Sequence, residues 1–254
     1  LDAGVSLNAV NAIKPFKNTV LGQLDESDPV FQRFANAATS EELAKLAETL
    51  TPDVSRGAIN AATNSQNLVA SAINRRASKA RSGLSSGDVL AEQGVWLQAL
   101  SSDADQDRRQ GIDGYDANTN GIAVGADGKL NADTTVGLAY SYLTSDVKSD
   151  LGNKTDVSGH ALTLYGNWTH DNFFVDASLM YGWNDNESKR YIAGTRAKAD
   201  YDSDLLGLNL VGGYTYRINP QLLIEPRLAA RYSRVEIDGY REKGSSAALK
   251  IEDQ

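Results

Sequence analysis

Two periods of apolar residues divide the chain. In roughly the first third of the sequence, apolar residues recur at three- and four-residue spacing, which is typical of helices. Leu43, Leu46 and Leu50 form such a face, and Thr39-Ser40-Glu41-Glu42 before them is a helix start signal. From Gly94 onward the period changes to two, which is typical of strands. The pattern predicts helices followed by an all-β region.

A slender helix is predicted from Pro52 to about Ser82. Proline suits a first helical turn, and the apolar positions that follow are mostly small: Ala58, Ala61, Ala62, Val69, Ala72 and Ile73. No Asp or Glu occurs between Val54 and Gly87, whereas four basic residues lie towards the end of the helix: Arg75, Arg76, Lys79 and Arg81. Cations complement the helix dipole at a C-terminus, but this does not explain the complete absence of acids.

Five runs of about ten residues alternate most clearly: Thr134–Leu143, His160–Trp168, Phe173–Asn184, Leu206–Tyr216 and Leu222–Ser233. Their apolar face is aliphatic and carries aromatic residues towards the strand ends: Tyr140, Tyr142, Trp168, Tyr181, Trp183, Tyr214, Tyr216 and Tyr232. The opposite face carries the charges Asp176, Glu225, Arg227 and Arg231. Soluble sandwiches also alternate, but aromatic girdles favour a transmembrane barrel whose charged face lines the lumen.

The connections between these runs alternate in length. Short turns are predicted at Asp127-Gly128, His170–Asn172 and Asn219-Pro220. Long polar loops are predicted within 101–120, 144–155, 184–199 and 235–245. Outer-membrane barrels have short periplasmic turns and long external loops, so the helix side is expected to be periplasmic.

Composition argues against several kinds of chemistry. The chain has no cysteine and two histidines ten residues apart, so neither a metal site nor a cofactor is predicted. The net charge of −8 disfavours nucleic-acid binding. Gly83–Gly87 matches a hydrolase nucleophile-elbow pattern, but in the wrong strand and helix order. Asp103–Asp107 resembles a calcium loop but lacks its later glycine and glutamate. No catalytic residue is predicted.

The order and spacing of several segments resemble the translocator domain of monomeric autotransporters, which are type V secretion proteins. These segments are Leu50–Asp53 before the alanine-rich helix, Gly94–Gln98, Gly114–Asp116, Gly121–Asp127, Gly137–Tyr142, Ile224–Leu228 and Tyr240–Gly244. The resemblance covers nearly the whole chain, and the order of the segments is more specific than any one of them.

This resemblance implies a twelve-stranded antiparallel barrel in the outer membrane, with a helical linker inside its pore. It also implies partners: outer-membrane lipid, the protein's own N-terminal passenger, the β-barrel assembly machinery and periplasmic chaperones. About eight strands are recognisable before Gln254, without the apolar terminal strand of the family. We therefore expect an incomplete barrel with an open edge. The expected division is 1–51 passenger-proximal, 52–87 pore helix and joint, and 88–254 barrel.

Within such a pore, Arg75, Arg76, Lys79 and Arg81 are expected to pair with inward carboxylates such as Asp176 and Glu225. Some members of the family cleave the passenger at an asparagine of the pore helix. Asn60, Asn64, Asn67 and Asn74 are candidates here, but none forms an Asn-Asn pair, so cleavage is not implied. The alternatives are a simple porin or adhesin-type barrel, which has no need of the basic helix, and a soluble β-rich enzyme or binding module.

Overall fold

The computed structural model describes residues 13, 16–18, 20–50, 57–82, 94–107, 114–219 and 222–253. After a short 3-10 turn at Leu21–Gln23, the described residues form three α-helices: α1, Pro29–Ala35; α2, Ser40–Thr49; and α3, Gly57–Ser82. None of the helices within these described ranges is both long enough and apolar enough to cross a membrane.

The described residues after the helices form eleven strands: β1, Val95–Gln106; β2, Tyr115–Lys129; β3, Thr134–Ser149; β4, Lys154–His170; β5, Phe173–Ile192; β6, Thr195–Tyr214; β7, Tyr216–Asn219; β8, Leu222–Ile224; β9, Arg227–Ile237; β10, Tyr240–Arg241; and β11, Lys250–Ile251. Seven of them form one antiparallel sheet in the order β1-β2-β3-β4-β5-β6-β9. In the described residues β1 and β9 do not pair with each other, so the sheet has the open edges that we expected.

The first turns of α1 and α2 are capped by local hydrogen bonds. The Asp28 side chain accepts bonds from the amides of Val30 and Phe31, and Pro29 occupies the first turn of α1. Thr39 accepts the Glu42 amide at 3.1 Å and so caps α2 at the predicted position. The third helix is described from Gly57, and Pro52 lies outside the described residues.

Burial alternates along β1 to β6 as the sequence predicts, whereas β7 and most of β9 are exposed at successive positions. The outward positions of the middle strands are exposed and aliphatic, and include Leu162, Leu164, Leu179, Leu206, Leu208 and Leu210. From Phe173 to Trp183, an outward face of β5 covers about 34 Å of strand, or about 26 Å along the membrane normal at a tilt of ~40°. This height matches the ~25 Å apolar band of an outer-membrane barrel.

The prediction of long external loops is wrong, because most residues of these segments belong to strands. The segment 144–155 contains the end of β3, a turn at 150–153 and the start of β4, and 184–199 contains a hairpin that turns at Ala193-Gly194. Both turn residues have positive φ, as a two-residue type I′ connection requires. The strands continue through these polar segments, since backbone hydrogen bonds between strands do not depend on the polarity of the side chains. The predicted turn at Asp127-Gly128 likewise lies inside β2.

Helix α3 lies along the inward face of the sheet and contacts all seven of its strands. Its buried Ala62, Val69, Ala72 and Ile73 pack into a core with small and medium residues of the inward strand face, among them Ala123, Ala139, Ala161, Met180 and Leu205. Small side chains on both surfaces allow the helix backbone to approach the strands closely. The position of α3 therefore follows from the slender composition that the sequence shows.

Helices α1 and α2 pack at the opposite end of the sheet from the C-terminus of α3. Val30, Phe34 and Leu50 form a second core with Ile192 and Ala197, which flank the β5–β6 turn. We call this the external end, following the sequence prediction, and we call the end with the β2–β3 and β4–β5 turns the periplasmic end. The helical segment before residue 51 therefore rests on the tip of a strand hairpin.

Candidate functional site

Arg81, near the C-terminus of α3, is buried in an ion-pair cluster at the periplasmic end. Its Nη1 lies 2.8 Å from Oδ1 of Asp176, and its Nε lies 3.5 Å from Oε1 of Glu225. Its guanidinium carbon lies 3.7 Å from the centroid of the Phe174 ring. The side chains of the three charged residues are at most 7% exposed. Burial makes such a cluster sensitive to the loss of one charge.

Further polar groups complete this cluster around Glu225. Thr215 donates its hydroxyl to Oε1 of Glu225 at 3.0 Å, and Arg227 lies 2.6 Å from Oε2. The second guanidinium balances the second carboxylate, so two cations meet two anions. Ser78 of α3 also contacts both Glu225 and Arg227. The cluster joins the helix to β5, to the connection between β8 and β9, and to the first residue of β9.

Arg76 pairs with Asp127 of β2, not with Asp176 or Glu225 as expected. The contact is bidentate, and its Nη2–Oδ1 distance is 2.8 Å. Tyr165 of β4 donates to Oδ2 of Asp127 at 2.7 Å, and Trp96 of β1 donates its indole N–H to the Tyr165 hydroxyl at 2.7 Å. This network connects α3 to the strands β1, β2 and β4.

Amide side chains fix the rest of the helix. Asn64 donates to Thr119 at 3.0 Å, and Gln66 donates to the backbone carbonyl of Tyr232 at 3.0 Å. Asn67 accepts a bond from Arg231, and Asn74 accepts one from Asn209 at 3.5 Å. Three of the four asparagines considered as cleavage candidates thus bind strand residues, and Asn60 also has a contact.

The remaining basic residues differ in position. Arg75 and Lys79 are exposed on α3, so they do not belong to the buried clusters. Arg227 and Arg231 both face α3, as expected of lumen-side residues, although they remain partly open to solvent at the sheet edge.

The predicted aromatic residues fall into two levels, with one exception. At the external level, Tyr142, His160 and Trp183 are direct cross-strand neighbours, and Tyr140 and Tyr181 lie just below them. At the periplasmic level lie Trp168, Tyr214 and Tyr216, near Phe173. Tyr232 pairs with Leu208 in the middle of the apolar band. This pairing places Tyr232 outside both aromatic levels.

Sequence reasoning missed several residues that hold the helices, among them Asp127 and Arg190. Asp127 looked like part of a turn, although it continues the inward parity of Ala123 and Gly125 along β2. Arg190, 3% exposed, makes a bidentate pair with Glu242 at 2.8 and 2.7 Å. It also donates to the carbonyl of Thr49 at 2.9 Å, at the end of α2. Arg190 occupies an inward position of the alternating pattern of β5, which could have identified it. Nothing in the sequence indicates its partners.

The described side chains form no cluster of three or more metal-binding groups. Asp103 lies in β1 and accepts a bond from Asn118, so it belongs to a strand and not to the solvated loop that we expected. Gly83–Gly87 lies outside the described residues.

Long strands with an aliphatic outer surface, folded around a helix with buried ion pairs, define a protein of the outer-membrane β-barrel class. Residues 95–254 match the family model described as "Autotransporter beta-domain". The match covers more than half of the chain. The chain therefore belongs to the autotransporter β-domain family, and its location is the bacterial outer membrane.

Individual proteins support this assignment. The chain is 32% identical over 188 residues to "Outer membrane protein B" of Rickettsia prowazekii, covering 68% of the chain and 11% of that protein. It is 33% identical over 195 residues to "Outer membrane protein A" of Rickettsia rickettsii, covering 69% of the chain and 9% of that protein. The chain thus spans about a tenth of the length of these relatives.

A solved structure with the same fold is the translocator domain of the autotransporter NalP from Neisseria meningitidis. Its TM-score with this chain is 0.58 at 17% identity, covering 75% of this chain and 66% of the other. The comparison supports the predicted architecture of an antiparallel sheet preceded by a helix.

Proposed function

We propose that residues 52–87 form a pore-threading helix and its joint, that 88–254 belong to the barrel, and that 1–51 lead to an exported passenger. The chain then anchors the passenger in the outer membrane and performs no catalysis of its own. Outer-membrane lipid and the passenger are its direct partners. The β-barrel assembly machinery and periplasmic chaperones are proposed as partners during insertion, because the family resemblance implies them.

The observation that carries this proposal is the set of polar anchors along α3. A part-buried ion pair at Arg76 and a buried one at Arg81, together with the amide contacts of Asn64 and Gln66, join the helix to β2, β5 and β9, from one part of the sheet to the other. A helix on the outer surface would meet lipid and could not satisfy these charges. A simple porin offers no role for these anchors.

Deleting Ala58–Arg81 from the refolded full-length protein is expected to raise its single-channel conductance in planar bilayers on the order of tenfold. The physical reason is that a helix of ~10 Å diameter occupies most of the lumen of a barrel of about twelve strands. Deleting Pro29–Ala35 is the control, because α1 lies at the external tip and should leave the conductance unchanged. Equal conductance of the two deletions would place α3 outside the pore.

The proposed orientation can be tested with single cysteines, since the chain has none of its own. Glu41→Cys on α2 is expected to react with a membrane-impermeant maleimide on intact cells. Lys129→Cys, at the end of β2, is expected to react only after the outer membrane is permeabilised. Both positions are exposed, so accessibility within the fold does not distinguish them. The reverse labelling pattern would refute the orientation.

A further inference from the structure

A basic cleft lies at the external end, between β6 and the segment from Arg241 to Gly244. It has a volume of about 690 Å³, and its charged lining consists of Arg196, Lys198, Arg241, Lys243 and Asp200. Four cations thus face one carboxylate. We call these four cationic residues, with the space between them, the basic cleft.

The cations of the basic cleft are exposed. Within the described part of the chain, none of their side chains takes part in an ion pair, whereas Lys154 and Lys189 nearby bind Asp156 at 2.6 and 3.5 Å. Cations that lie close together without carboxylate partners repel one another. Their arrangement therefore favours an anion from outside the chain.

The basic cleft is one end of a longer row of lysines. Lys148, Lys154, Lys189, Lys198 and Lys243 are successive cross-strand neighbours in the registers of β3 to β6 and of the bridge to residue 243. Neighbouring strands are ~4.8 Å apart, and like charges directly opposite each other destabilise a sheet. Among the residues that the structure describes, Lys154 and Lys189 are the members of this row that pair with carboxylates, so the uncompensated positive charge is greatest at the basic cleft.

The height of this row relative to the apolar band indicates the ligand. Lys189 lies six residues beyond Trp183 on the same outward face of β5. This places the row ~20 Å further along the strand, or ~15 Å above the external aromatic level. Flexible lysine stems can bend back towards the membrane surface. The row therefore lies at the depth of lipid headgroups and their attached sugars, and it faces the lipid.

We propose that the basic cleft binds the phosphate groups of phosphorylated saccharide headgroups carried by outer-leaflet lipids. Guanidinium groups from Arg196 and Arg241 suit bidentate phosphate contacts, and the lysines add compact charges. The outward orientation and the height of the cleft select a lipid over a soluble polyanion. The inference uses the proposed orientation, but the binding measurement below uses solubilised protein and does not depend on export.

The test is the affinity of the full chain, refolded in non-ionic detergent, for rough-type lipopolysaccharide. The variant Arg196→Gln/Lys198→Gln/Arg241→Gln/Lys243→Gln is expected to bind about 600-fold more weakly, since each of the four cations near an anionic surface contributes about fivefold. The control Lys17→Gln/Arg33→Gln/Lys45→Gln/Lys129→Gln removes the same number of exposed charges elsewhere. It should retain the native affinity. Lys198→Arg/Lys243→Arg should also bind as the native chain does.

Two further binding measurements distinguish recognition of phosphate groups from general electrostatic attraction. Lipopolysaccharide dephosphorylated with hydrofluoric acid should bind the native chain about as weakly as the intact lipid binds the fourfold cleft variant. Dextran sulfate is the soluble polyanion. Equal affinity of the cleft and control variants for intact lipopolysaccharide would overturn the proposal. Tighter cleft-dependent binding of dextran sulfate than of the lipid would overturn it in favour of a soluble polyanion.

Discussion

Replacing Arg81 with methionine will lower the free energy of unfolding by about 3–5 kcal/mol, because it leaves two buried carboxylates without their shared cation. Asp176 and Glu225 stay buried, and Arg227 can balance only one of them. The measurement is urea-induced unfolding of the full chain in lipid vesicles, followed by tryptophan fluorescence.

Arg75→Met is the matched control, since Arg75 lies on the same helix but is exposed. It should change stability by less than about 0.5 kcal/mol. Arg81→Lys should give an intermediate loss, because an ammonium keeps the charge but cannot reach both carboxylates with a planar fork. Equal losses for Arg81→Met and Arg75→Met would show that burial of this ion-pair cluster does not stabilise the fold.

Replacing Arg190 with methionine will release α2 from the external end and speed trypsin cleavage at Arg33 and Lys45 by roughly 150- to 4,000-fold. The substitution leaves Glu242 buried without its cation and the Thr49 carbonyl without its donor, a loss of about 3–5 kcal/mol. Proteolysis reports the local opening free energy when opening is fast relative to cleavage, so the cleavage rate measures docking directly.

A double substitution separates the ion pair from packing. Arg190→Met/Glu242→Leu should recover most of the protection, because replacing both charges removes the uncompensated one. Lys189→Met is the positional control, since this neighbour points to the outer surface and binds Glu187 at 2.9 Å. If cleavage stays slow in Arg190→Met, the apolar core around Val30 and Phe34 holds the helices without the ion pair.

Together these two clusters hold the helical parts at both ends of the sheet. The Arg81 cluster fixes the end of α3 at the periplasmic end, and the Arg190–Glu242 pair fixes the end of α2 at the external end. The segment leading to the proposed passenger is therefore docked to the strands through specific contacts. A flexible tether would not need a buried guanidinium at the end of α2.

The amino-acid sequence by itself determined the features that depend on local periodicity. The alternation from Thr134 onward assigned the inward and outward faces, because successive side chains of a strand point to opposite sides. The acid-free, alanine-rich stretch predicted a slender basic helix, and Thr39 predicted the start of α2. The order of short motifs indicated the family, which the match over residues 95–254 confirmed.

Only the tertiary structure decided what depends on register and on contacts distant in sequence. Polar residues beyond the apolar band looked like loops, but strand pairing continues through them because hydrogen bonds join backbones regardless of side-chain polarity. The partner of Arg76 is Asp127, 51 residues away, and the partner of Arg190 is Glu242, 52 residues away. No local pattern encodes such pairings. They arise because strand register and helix position bring complementary charges together in a buried space, where an unpaired charge would be costly.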